Sequence, residues 1–169
     1  MSFVAITDFE SGKYILHTGM YEDSQIQAYI DDYEEKYLTH LLGKDLYDLF
    51  MADIDVLTGL PVSPEYLKIY EPLKVDHSWS IIYSEGMKVM LQGFIYFEYV
   101  KDKYNEMTPA GLVKPIGQNS QSTTTLSTLM YTRYNAAIRS YKAIQEYIGV
   151  ESADYPDFNG YRKFAMTWL

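Results

Sequence analysis

The chain has 169 residues, and 47% of them are hydrophobic, which is enough apolar material for one folded domain. It contains no cysteine, so it has no disulfide, no thiolate metal site and no cysteine nucleophile. Its 23 acidic and 14 basic residues give a net charge of -9, which disfavours tight binding to nucleic acid because affinity for phosphates depends largely on Lys and Arg.

The first 20 residues are predicted to form an irregular N-terminal arm. Two short apolar runs, residues 3–6 and 14–16, flank a turn-like segment at residues 10–12. Such short runs leave two short strands or one irregular arm equally open. The start lacks the basic segment and apolar core of a signal peptide, and no apolar stretch is long enough to span a bilayer. A soluble protein without a membrane partner is therefore expected.

Two helices are predicted to meet at a corner around Gly43. The first starts after the capping residues 22–24 and ends at Leu42, and the second runs from Lys44 to about Asp53. The apolar face of the first helix consists of Ile26, Tyr29, Ile30, Tyr33, Tyr37, Leu38 and Leu41. Its acidic side chains are interpreted as a solvated face: Asp31, Asp32, Glu34 and Glu35.

A turn at residues 58–61 precedes a short predicted helix over residues 64–70. This helix has a serine and a proline at its start, which are typical of a helix N-terminus, and a proline soon after its end. The cap of the next helix is expected at Ser78 or Ser80.

The central element of the prediction is a long helix over about residues 80–104. Its apolar side chains surround it almost completely, so we expect other helices on several of its sides. Gly86 and Gly93 lie on its most regular stripe, either as places where a neighbouring backbone comes close or as ordinary helix glycines. Glu85 and Lys88 are predicted to pair along the helix.

Residues 105–125 are polar, contain prolines and glycines, and have no helical pattern. A loop of this length is usually functional or a linker, and we favour a loop that orders against a partner over a linker. A second long helix is predicted over about residues 122–148, ending at Gly149 and packing antiparallel to the first long helix. The aromatic-rich tail after it either docks on another subunit or folds back on its own core.

Together these elements predict an all-α fold. The predicted architecture is a helical bundle around the long helix at residues 80–104, with an irregular arm, a long loop and a tail. Residues 1–149 are expected to form a single helical domain, which includes the arm (1–20) and the loop (105–125). Residues 150–169 are expected to form the C-terminal tail.

No catalytic, metal or cofactor motif is recognised in the sequence, so neither an enzyme nor a cofactor is expected. His17, His40 and His77 are isolated from one another, and there is no phosphate-binding loop or nucleophile elbow. Contacts with partners are instead predicted in the loop and the tail, at Met107, Pro109, Leu112, Val113, Ile116, Tyr155, Phe158, Tyr161, Phe164 and Trp168.

Several segments resemble small all-helical head-tail connector proteins, also called adaptors, of phages that infect Bacteroides-like hosts. The similarity covers about residues 6–148 and is moderate in specificity, because the shared residues are helix corners and core positions. It is found in EEKYL (34–38), LLGKDLYD (41–48), MTPAGLV (107–113), NS (119–120), RYN (133–135) and YKAI (141–144).

The resemblance implies a virion structural protein that is made in the bacterial host cytoplasm. Connectors of this kind form a ring below the portal, extend the DNA channel and join the capsid to the tail. The implied partners are further copies of the chain in a homo-oligomeric ring (a dodecamer), the portal protein, tail or further ring proteins, and passing DNA that is not tightly bound. The alternative is a helical protein interaction module that regulates a partner and has no place in a virus particle.

Overall fold

The computed structural model describes residues 2–16, 22–77, 80–104, 107–108, 111–112 and 126–161. These residues form five α-helices: α1 (Asp23–Leu42), α2 (Lys44–Ala52), α3 (Pro64–Tyr70), α4 (Met87–Tyr104) and α5 (Leu126–Val150). They also form four strands: β1 (Leu73–His77), β2 (Ser80–Ser84), β3 (Met107–Thr108) and β4 (Gly111–Leu112). β1 pairs with β2, and β3 with β4, both antiparallel.

The prediction of an all-α bundle is wrong, because the segment before α4 is a β-hairpin. Ser80, which we predicted at or near the start of the central helix, is the first residue of β2 and pairs with His77. Burial along β2 alternates as in a strand with one covered face, since Ile82 is buried while its neighbours Ile81 and Tyr83 are each 59% exposed. The described part of the fold is mainly helical with two added two-stranded sheets, β1–β2 and β3–β4.

Gly86 joins the hairpin to α4 and is not part of the helix. Its φ of +95° is a conformation that favours glycine. A Cβ at this position would lie 3.1–3.3 Å from backbone atoms of residues 70–72, so the backbone approach predicted at Gly86 is present even though its helical position is not.

Helix α4 lies in the middle of the fold and contacts α1, α3 and α5. It packs antiparallel to α5, because Glu85 N–H, just before α4, donates to Ser140 Oγ at 3.2 Å, while Phe97, further along α4, packs on Tyr131. At Gly93 an added Cβ would lie 2.8 Å from the Ala137 Cβ atom, so the close approach of these helices depends on the missing side chain.

The N-terminal arm is packed into the core. It forms 3-10 turns at Ile6–Phe9 and Gly12–Tyr14, and its buried side chains are Phe3, Val4, Phe9, Tyr14 and Leu16. Two ion pairs fasten it near the start of α4, Lys13–Glu85 at 2.7 Å and Lys88–Asp8 at 2.9 Å. The predicted pairing of Glu85 with Lys88 is therefore wrong, since each of them pairs with the arm.

The described part of the tail, residues 151–161, covers the C-terminal end of α1. The last carbonyl groups of a helix have no partner within it. Here the His40 carbonyl accepts hydrogen bonds from the Tyr161 N–H (2.8 Å) and the Tyr141 hydroxyl (2.7 Å). The Leu41 carbonyl accepts one from the Gln145 amide at 2.9 Å. The tail thus folds back on its own chain as far as Tyr161.

Candidate protein interaction site

Between α2 and α3, the chain exposes an unusual number of apolar side chains in one loop. We call residues 53–63 the apolar loop. The exposed fraction is 83% for Val56, 95% for Leu57, 41% for Leu60 and 68% for Val62. Single exposed apolar residues are normal on a protein surface, but a contiguous group of them is typical of an interaction site.

Hydrogen bonds tie the two ends of the apolar loop together. The Asp53 carboxylate accepts from the Val62 N–H (2.9 Å), the Ser63 N–H (2.8 Å) and the Ser63 hydroxyl (2.6 Å). Desolvation alone would raise the pKa of Asp53, but the bonds from Ser63 and Val62 outweigh it and hold the pKa below its ordinary value. Within the loop, the Asp55 N–H donates to the Leu60 carbonyl at 3.0 Å. The exposed apolar side chains therefore belong to a loop whose backbone is held by internal hydrogen bonds.

A second surface with apolar character lies between β2 and α5. We call it the β2–α5 groove. It has a volume of about 330 Å³, and the residues that line it include Ile81, Ile82, Tyr83, Ala136, Arg139 and Lys142. The Ile82 side chain is buried against Ala143 of α5, whereas Ile81 and Tyr83 alternate with it along β2 and are exposed. Arg139 and Lys142 are exposed at the same groove, and neither forms an ion pair with another described residue.

The acidic side chain of Glu34 is buried, which contradicts its predicted place on a solvated face. Its carboxylate accepts hydrogen bonds from the Phe3 N–H (3.1 Å), the Val4 N–H (3.0 Å) and the Ser2 hydroxyl (2.8 Å). Desolvation raises the pKa of Glu34, and these hydrogen bonds partly counteract the shift. The Glu34 carboxylate therefore holds the N-terminal arm against α1.

Replacing Glu34 by Ala is expected to lower the free energy of unfolding by about 2–3 kcal/mol, because the buried N–H groups of Phe3 and Val4 lose their acceptor. Urea denaturation measures the change. Glu35→Ala is the matched control: Glu35 is the next residue and is exposed, so its loss should stay within about 0.5 kcal/mol. Equal losses of unfolding free energy in the two variants would contradict the role of Glu34 in holding the arm.

A second buried acid, Glu98 on α4, joins that helix to α1. The Tyr37 hydroxyl donates to the Glu98 carboxylate at 2.7 Å, and the Lys101 ammonium pairs with the other carboxylate oxygen. Desolvation, together with the hydrogen bond to Glu98, raises the pKa of Tyr37. Both buried acids are thus engaged in contacts between elements of the fold.

The predicted contact residues lie in three places: the described part of the tail, the β3–β4 ladder, and segments outside the described residues. Tyr155 is buried, with its hydroxyl donating to the Glu65 carbonyl at 2.6 Å, and Phe158 packs partly buried against the core. Tyr161 is 67% exposed. Met107 and Leu112 are paired across the β3–β4 ladder. The remaining predicted contacts lie outside the described residues: Pro109, Val113, Ile116, Phe164 and Trp168.

The apolar loop was missed as a contact surface, although the sequence contained a signal for it. Residues 58–61 were recognised as a turn, yet Val56, Leu57 and Val62 directly flank that turn. Apolar side chains crowded around a tight turn between two short helices have little core within reach, so their exposure could have been inferred.

Comparison with known proteins assigns no relative: no family model, no curated protein and no solved structure matches the chain significantly. Within the described ranges, no three His, Cys, Asp or Glu side chains are grouped so that they could hold a metal ion. None of the described helices is both long and apolar enough to cross a membrane. His40 packs edge-on against the Tyr161 ring, His77 is an exposed residue of β1, and His17 lies outside the described residues.

Proposed function

We propose that this protein is a virion structural protein, a head-tail connector that forms a ring below the portal, extends the DNA channel and joins the capsid to the tail. The class comes from the sequence resemblance over residues 6–148. The structural observation that carries the proposal is the apolar loop, because it is a braced surface whose side chains are suited to a protein partner.

Ring assembly gives such a loop a permanent partner. Leu57, at 95% exposure, is in contact with water in the isolated chain, and covering an apolar side chain of this size is favourable by about 1.5–3 kcal/mol. In a ring every copy has neighbours on two sides, so an exposed apolar surface on each copy can be covered.

The buried ionisable groups support a role in assembly. Glu34 holds the N-terminal arm, and Glu98 links α4 to Tyr37 of α1. These acids stabilise the arrangement of the helices, so the chain can act through shape and surface. The connector role requires no chemical step.

The net charge of -9 suits a conduit for DNA. An acidic protein repels the phosphate backbone, whereas tight DNA binding requires clusters of Lys and Arg. DNA could therefore slide through a ring of such subunits without adhering to it.

The proposal is tested on purified virus particles. Quantitative mass spectrometry should find this protein at a fixed ratio to the portal protein, and native mass spectrometry of the portal complex should reveal a ring of copies. Absence of the protein from particles would refute the proposal. A pull-down that recovers a host enzyme but no portal protein would favour a regulatory interaction module instead.

A further inference from the structure

We propose that the apolar loop of one copy of this chain inserts into the β2–α5 groove of a second copy. The contact would join neighbouring subunits head to tail. It deepens the proposed function by naming the surfaces that link adjacent copies, and it relies on that function only for the closure of the resulting chain of contacts into a ring.

The two surfaces are matched in apolar character. The loop offers Val56 and Leu57, which are 83% and 95% exposed, and the apolar residues that line the groove between β2 and α5 include Ile82, Ala136 and Ala143. The groove volume of about 330 Å³ exceeds that of cavities of ~150 Å³ that accept a benzene ring. The groove is therefore large enough for the tip of the loop.

The loop is braced before it binds. Its ends are tied by the Asp53 carboxylate to Val62 and Ser63, and Ile54 forms a β-bridge with Pro61. Ordering a flexible loop on binding costs free energy, and a preformed loop avoids much of that cost. Bracing therefore lowers the free-energy cost of the contact, to which the apolar side chains and the charged groups around them both contribute.

Charge complementarity identifies a second copy of the chain as the occupant. The apolar loop, residues 53–63, has two acids, Asp53 and Asp55, and no Lys or Arg, and of the lysines that flank its segment Lys44 is already paired with Asp48. The groove presents the cations Arg139 and Lys142. Of the two acids that line it, Glu85 is already neutralised by Lys13 at 2.7 Å, which leaves Glu146. In a chain of net charge -9, this positive rim favours an acidic loop, and every copy carries one.

The loop and the groove are different surfaces, so the contact is heterologous. Each copy that donates its loop keeps an open groove, and each copy that accepts a loop still has its own loop to donate. Such contacts propagate around a ring when the rotation closes, which agrees with the connector role.

The first experiment uses two variants that each remove one half of the contact. Leu57→Asp alters the loop, and the double variant Arg139→Glu/Lys142→Glu alters the groove, all at exposed positions. In sedimentation velocity, each variant alone should require at least about tenfold more protein than the unchanged chain to associate. Mixing the two variants should restore one contact and yield a 1:1 dimer that grows no further.

Three results would each overturn the contact: a wild-type chain that stays monomeric at every concentration, variants that associate like wild type, or a mixture that forms no dimer.

The second experiment does not depend on charge changes. Because the chain has no cysteine, Leu57→Cys combined with Ala136→Cys should give disulfide-linked multimers on mild oxidation. Val150→Cys with Ala136→Cys, which places the first thiol at an exposed position away from the loop, should not.

The two experiments and the analysis of virus particles distinguish failure of the loop–groove contact from failure of the proposed connector function. A chain that forms the 1:1 dimer in solution but is missing from virus particles retains the contact and refutes the connector. A chain present as a ring in particles, in which Leu57→Cys/Ala136→Cys fails to cross-link, retains the connector and refutes the contact.

Discussion

Replacing Phe94 by Ala is expected to lower the free energy of unfolding by about 3–5 kcal/mol. The Phe94 ring is fully buried in the middle of α4. It stacks on Tyr37 of α1 with ring centroids 4.2 Å apart, and it meets Tyr134 and Tyr141 of α5 edge-on at 5.6 and 6.0 Å. Truncation leaves a cavity between three helices, and rings packed from several directions cannot easily move to fill it.

Phe97→Ala provides a matched control for this prediction, because it makes the same chemical change one helical turn away. Phe97 is half-buried and packs on Tyr131 and Tyr134 of α5. Chemical denaturation should therefore give a smaller loss than for Phe94→Ala, since solvent can reach the truncated site. If Phe94→Ala costs no more than Phe97→Ala, α4 does not occupy the centre of the fold.

The helices whose ends are set by local chemistry could be predicted from the sequence. Helix α1 runs from Asp23 to Leu42 and α3 begins at Pro64, close to the predicted bounds, although neither Glu22 nor Ser63 forms a side-chain cap hydrogen bond and the Ser63 hydroxyl donates to Asp53 instead. These signals act over three or four residues, so the sequence alone contains the information. The same holds for the corner at Gly43.

The hairpin could not be derived in the same way. Ile81, Ile82 and Tyr83 form a short apolar run that fits both a buried helix and a strand. What decides between them is the pairing with β1, in which Val75 faces Ile82, and the cover that Ala143 of α5 gives to Ile82. Both are long-range contacts, which periodicity within the segment does not report.

The buried acid on α1 could have been recognised, since Glu34 lies four residues after Ile30 on the apolar stripe. The prediction of a solvated face rests on the run of acids at residues 31–35, whose side chains point in different directions from a helix. Its partners, the N–H groups of Phe3 and Val4, are about thirty residues away in the chain. The apolar loop likewise carried a local signal, because Val56, Leu57 and Val62 directly flank the turn at residues 58–61.

Gly43→Ala is expected to lower the free energy of unfolding by about 2–5 kcal/mol and to detach the tail from the end of α1. Gly43 has φ +81° and ψ 164°, a region in which side chains are strained. An added Cβ would also collide with the Asn159 side chain and lie 2.7 Å from its backbone carbonyl carbon. Asn159 must then move, and with it the neighbouring Tyr161 N–H that donates to His40.

Gly12→Ala separates backbone strain from the collision. Gly12 has nearly the same φ, +82°, but no heavy atom lies within 4 Å of its added Cβ, so only the strain of about 1–3 kcal/mol applies. Hydrogen exchange distinguishes the two: the Tyr161 amide should lose protection in Gly43→Ala and keep it in Gly12→Ala. Unchanged protection in both variants would mean that the tail does not depend on the α1–α2 corner, and the hydrogen bond from the Gln145 amide to the Tyr161 carbonyl would then be sufficient to hold it.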